Sequence, residues 1–174
     1  MVLDARLKKI TAEVSSRKGA AAFVKSREPG ARLSDLERSQ AEEFGAMLEG
    51  MYLMAAVDGE VSDEELGQLR ASIAAIVDMK ALEEGAGSLD ELLRRFRADL
   101  SRDGWKARLD DVSRRIPTDD GKAFAFRLAA GVAMVDDNVE SAEAAAIDAF
   151  AAAMNLPAEE SQSILREVLD ELFH

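Results

Sequence analysis

The stretch from Met51 to Ile73, MYLMAAVDGEVSDEELGQLRASI, reads as the end of one helix, a short acidic corner and the start of another. Upstream of the corner, Phe44, Met47, Leu48, Met51, Met54 and Ala55 recur at helical spacing, which predicts a helix over about 33–57 with its methionines as core filler. Downstream, Leu66, Leu69, Ile73 and Ile76 mark a second helix over 62–77. Between them VDGEVSDEE, Val57 to Glu65, places five carboxylates in nine residues. Much of that pattern returns as VDDNVESAE, Val135 to Glu143.

The rest of the chain follows the same period. Leu89, Leu92, Leu93, Phe96 and Leu100 predict a helix, and Trp105, Leu109, Val112 and Ile116 another, with a turn at Asp103-Gly104 and a stop at Pro117. A helix over 119–136 carries Phe124, Leu128, Val132 and Val135, and the next carries Ile147, Phe150, Ala151 and Met154. Asn155 to Pro157 breaks it, and Ile164, Leu165, Val168, Leu169 and Leu172 give the last. At the other end, Leu3, Leu7, Ile10 and Val14 with Arg6, Lys8, Lys9, Arg17 and Lys18 describe a basic amphipathic helix that SREPG, Ser26 to Gly30, terminates. Its stripe is read as packing on the bundle; lying on an anionic membrane or an acidic partner is the other reading. The expectation is an all-α compact bundle of about eight helices containing two repeated helix–turn–helix units. Residues 1–32 form the basic helix and linker, and 33–174 the main helical domain.

Composition narrows the chemistry. The 174 residues are 48% hydrophobic and only 5% aromatic, so one core built mostly of aliphatic side chains and alanine suffices. There is no cysteine, and the single histidine is the last residue, which removes thiolate chemistry and makes zinc chemistry an unexpected use of the chain. No secretory leader and no apolar run of about 20 residues is present, so the expected location is cytoplasmic. Net charge is −12: residues 1–32 carry eight Lys/Arg against three Asp/Glu, which leaves the remainder at −17. A body of that sign repels phosphate backbones, so nucleic acid is not an expected partner.

The corners must first be explained as capping. Gly59 can close a helix in the left-handed conformation, and Asp137 substitutes for it in the second copy. Val61 and Val139 can tuck under the turn, Ser62 with Glu65 matches the S-x-x-E capping box, and Asp63 and Glu64 favour the positive end of the helix dipole. Asp58 and Asp136 resist this treatment, because each falls at the C-terminal end of its helix, where a carboxylate is disfavoured by roughly 0.3–1 kcal/mol. Two readings stand. Either aspartate can form an Asx-turn that steadies the corner. Or Asp58 with Glu60 and Glu65, and Asp136 with Asn138 and Glu143, supply hard oxygens for Ca²⁺ or Mg²⁺ beside free helix carbonyls. An EF-hand is excluded: counted from Asp58 its sixth position is Asp63 and its twelfth Leu69, and from Asp136 they are Ser141 and Ile147.

With both corners set on helices, the chain resembles the TerB-like family of bacterial tellurite-resistance and stress operons. The resemblance rests on Met51 to Ile73 and on AFRLAAGVAMVDDNVESAEAAAIDAFAAAMNLPAEE, Ala125 to Glu160, and covers roughly residues 33 to 160. The second unit departs from the pattern at Asp137 and Asn138, so the first corner is expected to bind cations better. The resemblance implies a non-enzymatic, all-helical acidic protein working with TerC-like membrane proteins and TerD-like proteins, with Asp58, Glu60, Glu65, Asp136 and Glu143 as its acidic positions. No J-domain tripeptide accompanies it.

No G-x-S-x-G, G-x-x-x-x-G-K-[ST] or H-E-x-x-H motif occurs, and Gly85 to Ser88 has no strand before it to make a phosphate loop, so no catalytic residue and no organic cofactor is expected. The alternative to cation binding is a protein–protein adaptor whose acidic face docks a basic or membrane-associated partner, with the N-terminal helix at the inner membrane face.

Overall fold

The structure is a computed structural model and describes residues 18–28, 30–57, 61–76, 89–134 and 141–173. Every regular element among them is an α-helix. In chain order these are α1 (Lys18–Ser26), α2 (Asp35–Ala55), α3 (Asp63–Ile76), α4 (Leu89–Asp103), α5 (Trp105–Arg115), α6 (Asp119–Met134), α7 (Ser141–Ala153) and α8 (Ala158–Phe173). The fold is therefore an all-α bundle, and helices flank each corner, α2 and α3 the first, α6 and α7 the second. The stripe Leu3 to Val14 lies outside the described residues.

Two helices make the centre. From Ala46 to Met54 every residue of α2 is buried, which is the mark of a helix enclosed on all sides rather than amphipathic. Most of α6 is similarly enclosed, from Phe124 through Met134. α2 packs against α1, α3, α4, α5, α6 and α7, and α6 carries α8 on its other side. Arg127 on α6 clamps α8 by ion pairs to Glu167, at 2.7 Å, and Glu171. Val168 of α8 is fully buried, whereas Leu169 is 40% exposed and turns away from the core expected for it.

Local chemistry sets the helix ends. Ser34 and Glu37 form a full capping box on α2: the Glu37 N–H donates to Ser34 Oγ and the Ser34 N–H to Glu37 Oε1, both at 3.1 Å. Lys25 of α1 reaches the same glutamate at 2.8 Å, and Phe23 of α1 packs on Phe44 with ring centroids 5.6 Å apart. Gly104, at φ +89°, is the single residue between α4 and α5, as the Asp103-Gly104 turn predicts. At the end of α7, Asn155 takes φ 55° and the N–H groups of Asn155 and Leu156 return to Ala152 and Ala151, a Schellman closure just ahead of Pro157.

The α5 helix completes ends that local sequence leaves open. The Trp105 indole N–H donates to the Leu53 carbonyl at 2.7 Å, and the Ser113 hydroxyl to the Ala153 carbonyl at 2.6 Å. Last-turn carbonyls of α2 and α7 thus find donors on a helix far away in sequence.

α2 and α6 meet closely at Gly121, whose N–H is capped by Thr118 Oγ1 at 3.0 Å. A Cβ there would run into Glu43 Oε1 on α2 and stand 2.7 Å from Thr118 Oγ1 and 2.9 Å from Ile116. Helix propensity alone favours Gly121→Ala by roughly 0.5–1 kcal/mol, but overpacking at a buried contact costs about 1–3 kcal/mol. Gly121→Ala should therefore lower stability by about 1 kcal/mol in urea unfolding; a gain would mean that the contact is loose.

Candidate functional site

The residues bracketing the first corner are tied down on both sides. The Ala56 N–H donates to the Tyr52 carbonyl at 2.9 Å, and with Leu53 taken by Trp105 two of the last carbonyls of α2 are occupied. At the start of α3 the Glu65 N–H donates to Ser62 Oγ at 3.1 Å, and the Ser62 hydroxyl donates to Glu65 Oε1 at 3.0 Å. The return bond comes from the hydroxyl, not from the backbone N–H of the reciprocal box expected above. Glu65 is exposed. In the second copy Glu143 is half-buried in the first turn of α7 and has a partner. Asp58, Glu60, Asp136 and Asn138 lie outside the described residues. Among the described residues, no group of three or more acids is arranged to hold a metal ion.

The most heavily charged interior point is elsewhere. Glu49 stands on the enclosed part of α2, in line with Ala46, Leu53 and Ala56, and is only 2% exposed. A carboxylate so placed requires charge-assisted partners. Arg108 of α5 grips it with two parallel bonds of 2.8 Å, Nε to Oε2 and Nη2 to Oε1, and Arg115 donates to Oε1 at 2.6 Å. Asp111, one turn from each arginine, lies 3.2 Å from Arg108 and 2.9 Å from Arg115. Spacings of three and four residues set Arg108, Asp111 and Arg115 on one face of α5, beside the apolar Leu109, Val112 and Ile116 that bury it.

The network widens toward α4. Arg108 also pairs with Asp103 at 3.1 Å, and Arg102 with Asp103 at 2.9 Å and Asp99 at 3.1 Å. The hydrogen bonds from Arg102 and then from Arg108 hold the Asp103 carboxyl well below its ordinary range, at about 2. The bond to Glu49 raises Arg108, which keeps its charge at every accessible pH. Glu49 itself, with both oxygens taken by guanidinium N–H groups, has a structural task and is not placed to abstract a proton.

This centre floors a cleft of about 750 Å³ between α1, α2, α4 and α5. Six arginines and four carboxylates line it, a local excess of positive charge in a chain of net charge −12. The sequence reading assigned the basic character to residues 1–32 and missed this cleft. The available signals were one acid at helical spacing with Ala46, Leu53 and Ala56, and an Arg-Asp-Arg face on α5; both need a partner helix before they mean anything.

Comparison of the chain with protein-family models, with curated proteins and with solved structures finds no match.

Removing Glu49 leaves two guanidinium groups facing a low-dielectric interior, for which breaking a buried pair costs about 3 kcal/mol. Glu49→Ala should lose that much in urea unfolding with an unchanged m value, and Glu49→Met combined with Arg108→Met should recover part of it. A loss under about 1 kcal/mol for Glu49→Ala would show that the centre is solvated.

Because the folded Asp103 carboxyl titrates near 2 and an unfolded one near its ordinary ~3.9, its stabilising effect is complete above about pH 4 and disappears as pH falls toward 2. Carbon NMR of the Asp103 carboxyl should give a midpoint near 2, moving upward in Arg102→Gln; a midpoint near 4 in the parent would refute the pairing.

Proposed function

We propose that this chain is a TerB-like, non-enzymatic binding protein of the tellurite-resistance and stress-response kind, which takes divalent cations, Ca²⁺ or Mg²⁺, at its two acidic corners. The supporting observation is the placing of helix ends. α2 ends at Ala55 and α3 runs from Asp63, while α6 is described as far as Met134 and α7 from Ser141. Asp58 therefore follows the negative pole of a core helix at a distance of three residues, and Asp136 comes two residues after the described part of α6. A cation there offsets the unfavourable carboxylate, with Glu60 or Asn138 adding oxygen and Glu65 or Glu143 entering from the next helix. Pinned by Ser62, Glu65 still presents its second oxygen from an exposed position.

A second reading, the adaptor, is favoured by the exposure of Asp63, Glu64 and Glu65 together in the first turn of α3. Such a patch suits a basic segment of a TerC-like membrane protein or of a TerD-like protein at the cytoplasmic face of the inner membrane. Among the described residues no helix is long and apolar enough to cross a membrane.

Calorimetric titration of Ca²⁺, Mg²⁺ and Mn²⁺ into metal-free protein discriminates between the two. Cation binding gives saturable heat that Asp58→Asn weakens more than Asp136→Asn. It also gives a thermal stabilisation worth about 2.7 kcal/mol at a hundredfold excess over Kd. Isotherms flat for all three metals would leave the adaptor reading.

A further inference from the structure

The cleft above the Glu49 centre has more cationic capacity than its own acids use. Glu49 is satisfied by Arg108 and Arg115, Asp111 by the same pair, and Asp99 by Arg102. Three further arginines, brought in from three separate parts of the chain, line the same space: Arg27 after α1, Arg38 on α2 and Arg95 on α4. Arg27 Nε is buried without a hydrogen-bond partner among the described residues, although its guanidinium lies 6.0 Å from the Phe23 ring centroid. Arg38 has only Asp35 near it, at 4.0 Å and with both side chains exposed. Arg95 is exposed and pairs with no acid among the described residues. Against them stands one uncommitted carboxylate, the exposed Glu42.

Charge and shape narrow the ligand. The cleft volume of about 750 Å³ falls within the range of small-molecule sites, roughly 300–1,000 Å³. Its six arginines face four lining carboxylates and Asp103, which pairs with Arg102 and Arg108, so an excess of one positive charge is left for an anion. Guanidinium forks match the oxygens of phosphate and carboxylate, and a concave wall of low dielectric concentrates their field. Apart from Ser26, the remaining lining is apolar, including Phe23, Leu33, Leu92 and Phe96. A bare inorganic anion leaves that surface unused, while a phosphomonoester carrying a small apolar group uses both. We propose that this cleft binds a small phosphomonoester, with the phosphate held by Arg27, Arg38 and Arg95 and its apolar group against Phe23, Leu33, Leu92 and Phe96. The site is separate from the acidic corners and does not depend on cation binding there.

Amide NMR titration of the full chain with phenyl phosphate tests this, with inorganic phosphate as a separate arm. Saturable shifts are expected at the cleft amides, Gly45 and Arg95 among them, with phenyl phosphate binding more tightly than inorganic phosphate. Binding should weaken below about pH 6, where the phosphate takes up its second proton. Arg38→Gln and Arg95→Gln, both at exposed positions, should leave the thermal midpoint in place and each weaken binding about tenfold, the loss of one charge-assisted hydrogen bond. Arg166→Gln on α8, an equal change of charge outside the cleft, should leave binding unaltered. Shifts confined to the basic residues 1–17, equal weakening in Arg166→Gln, or equal affinity for inorganic phosphate would each overturn the proposal.

Discussion

A carboxylate held inside the bundle by two guanidinium groups is the constraint on which the arrangement of α2, α4 and α5 depends. Glu49 sits where α2 has no solvent-facing side, so it must be answered from another helix. The answer comes from Arg108 and Arg115, 59 and 66 residues away. Their geometry fixes both the rotation of α5 about its axis and its height along α2, because a bidentate fork tolerates little misplacement. The apolar face of α5 alone, Leu109, Val112 and Ile116, leaves more freedom in how the two helices could slide.

The same placement of α5 serves the ends of other helices. With its depth set by Glu49, Trp105 reaches the Leu53 carbonyl and packs on Phe150 at 5.9 Å, and Ser113 reaches Ala153. The C-terminal part of α2 is steadied beside the first acidic corner, and that of α7 at the end of the helix away from the second. Gly121 lets α2 approach closely, since a Cβ there would run into Glu43, whereas a Cβ at Gly50 would stand in ordinary contact with Phe150, 3.4 Å away. One bundle thus carries the acidic first turn of α3 and the arginine-lined cleft, and the two differ in the sign of their charge.

That opposition matters for how the molecule meets its surroundings. Exposed carboxylates at the start of α3 attract cations or basic segments, and the surplus of arginine in the cleft has the opposite sign. The deepest arginines, Arg108 and Arg115, are screened least by salt, while the acids of α3 and the exposed Arg38 and Arg95 are screened more. One fold can hold both without mutual cancellation.

The helices were legible because helical periodicity is a local property. The apolar stripes placed α2 to within two residues at each end, from 33–57 to Asp35–Ala55, and the expected start of the 119–136 helix coincides with Asp119. Gly104 and Asn155 were equally readable, since backbone conformation near a break depends on the residue occupying it. The capping box at Ser34 was written just as plainly and went unread beside the one at Ser62. The outward turn of Leu169, the burial of Glu49 and the convergence of Arg27, Arg38 and Arg95 on one cleft were not legible. Sequence by itself determined which segments are helical and where acid accumulates, because both depend on residues a few positions apart. Tertiary structure alone decided which charges are buried, paired or left over, because a charge's environment is made by helices remote in the chain, and only their packing sets the local dielectric and the partners within reach.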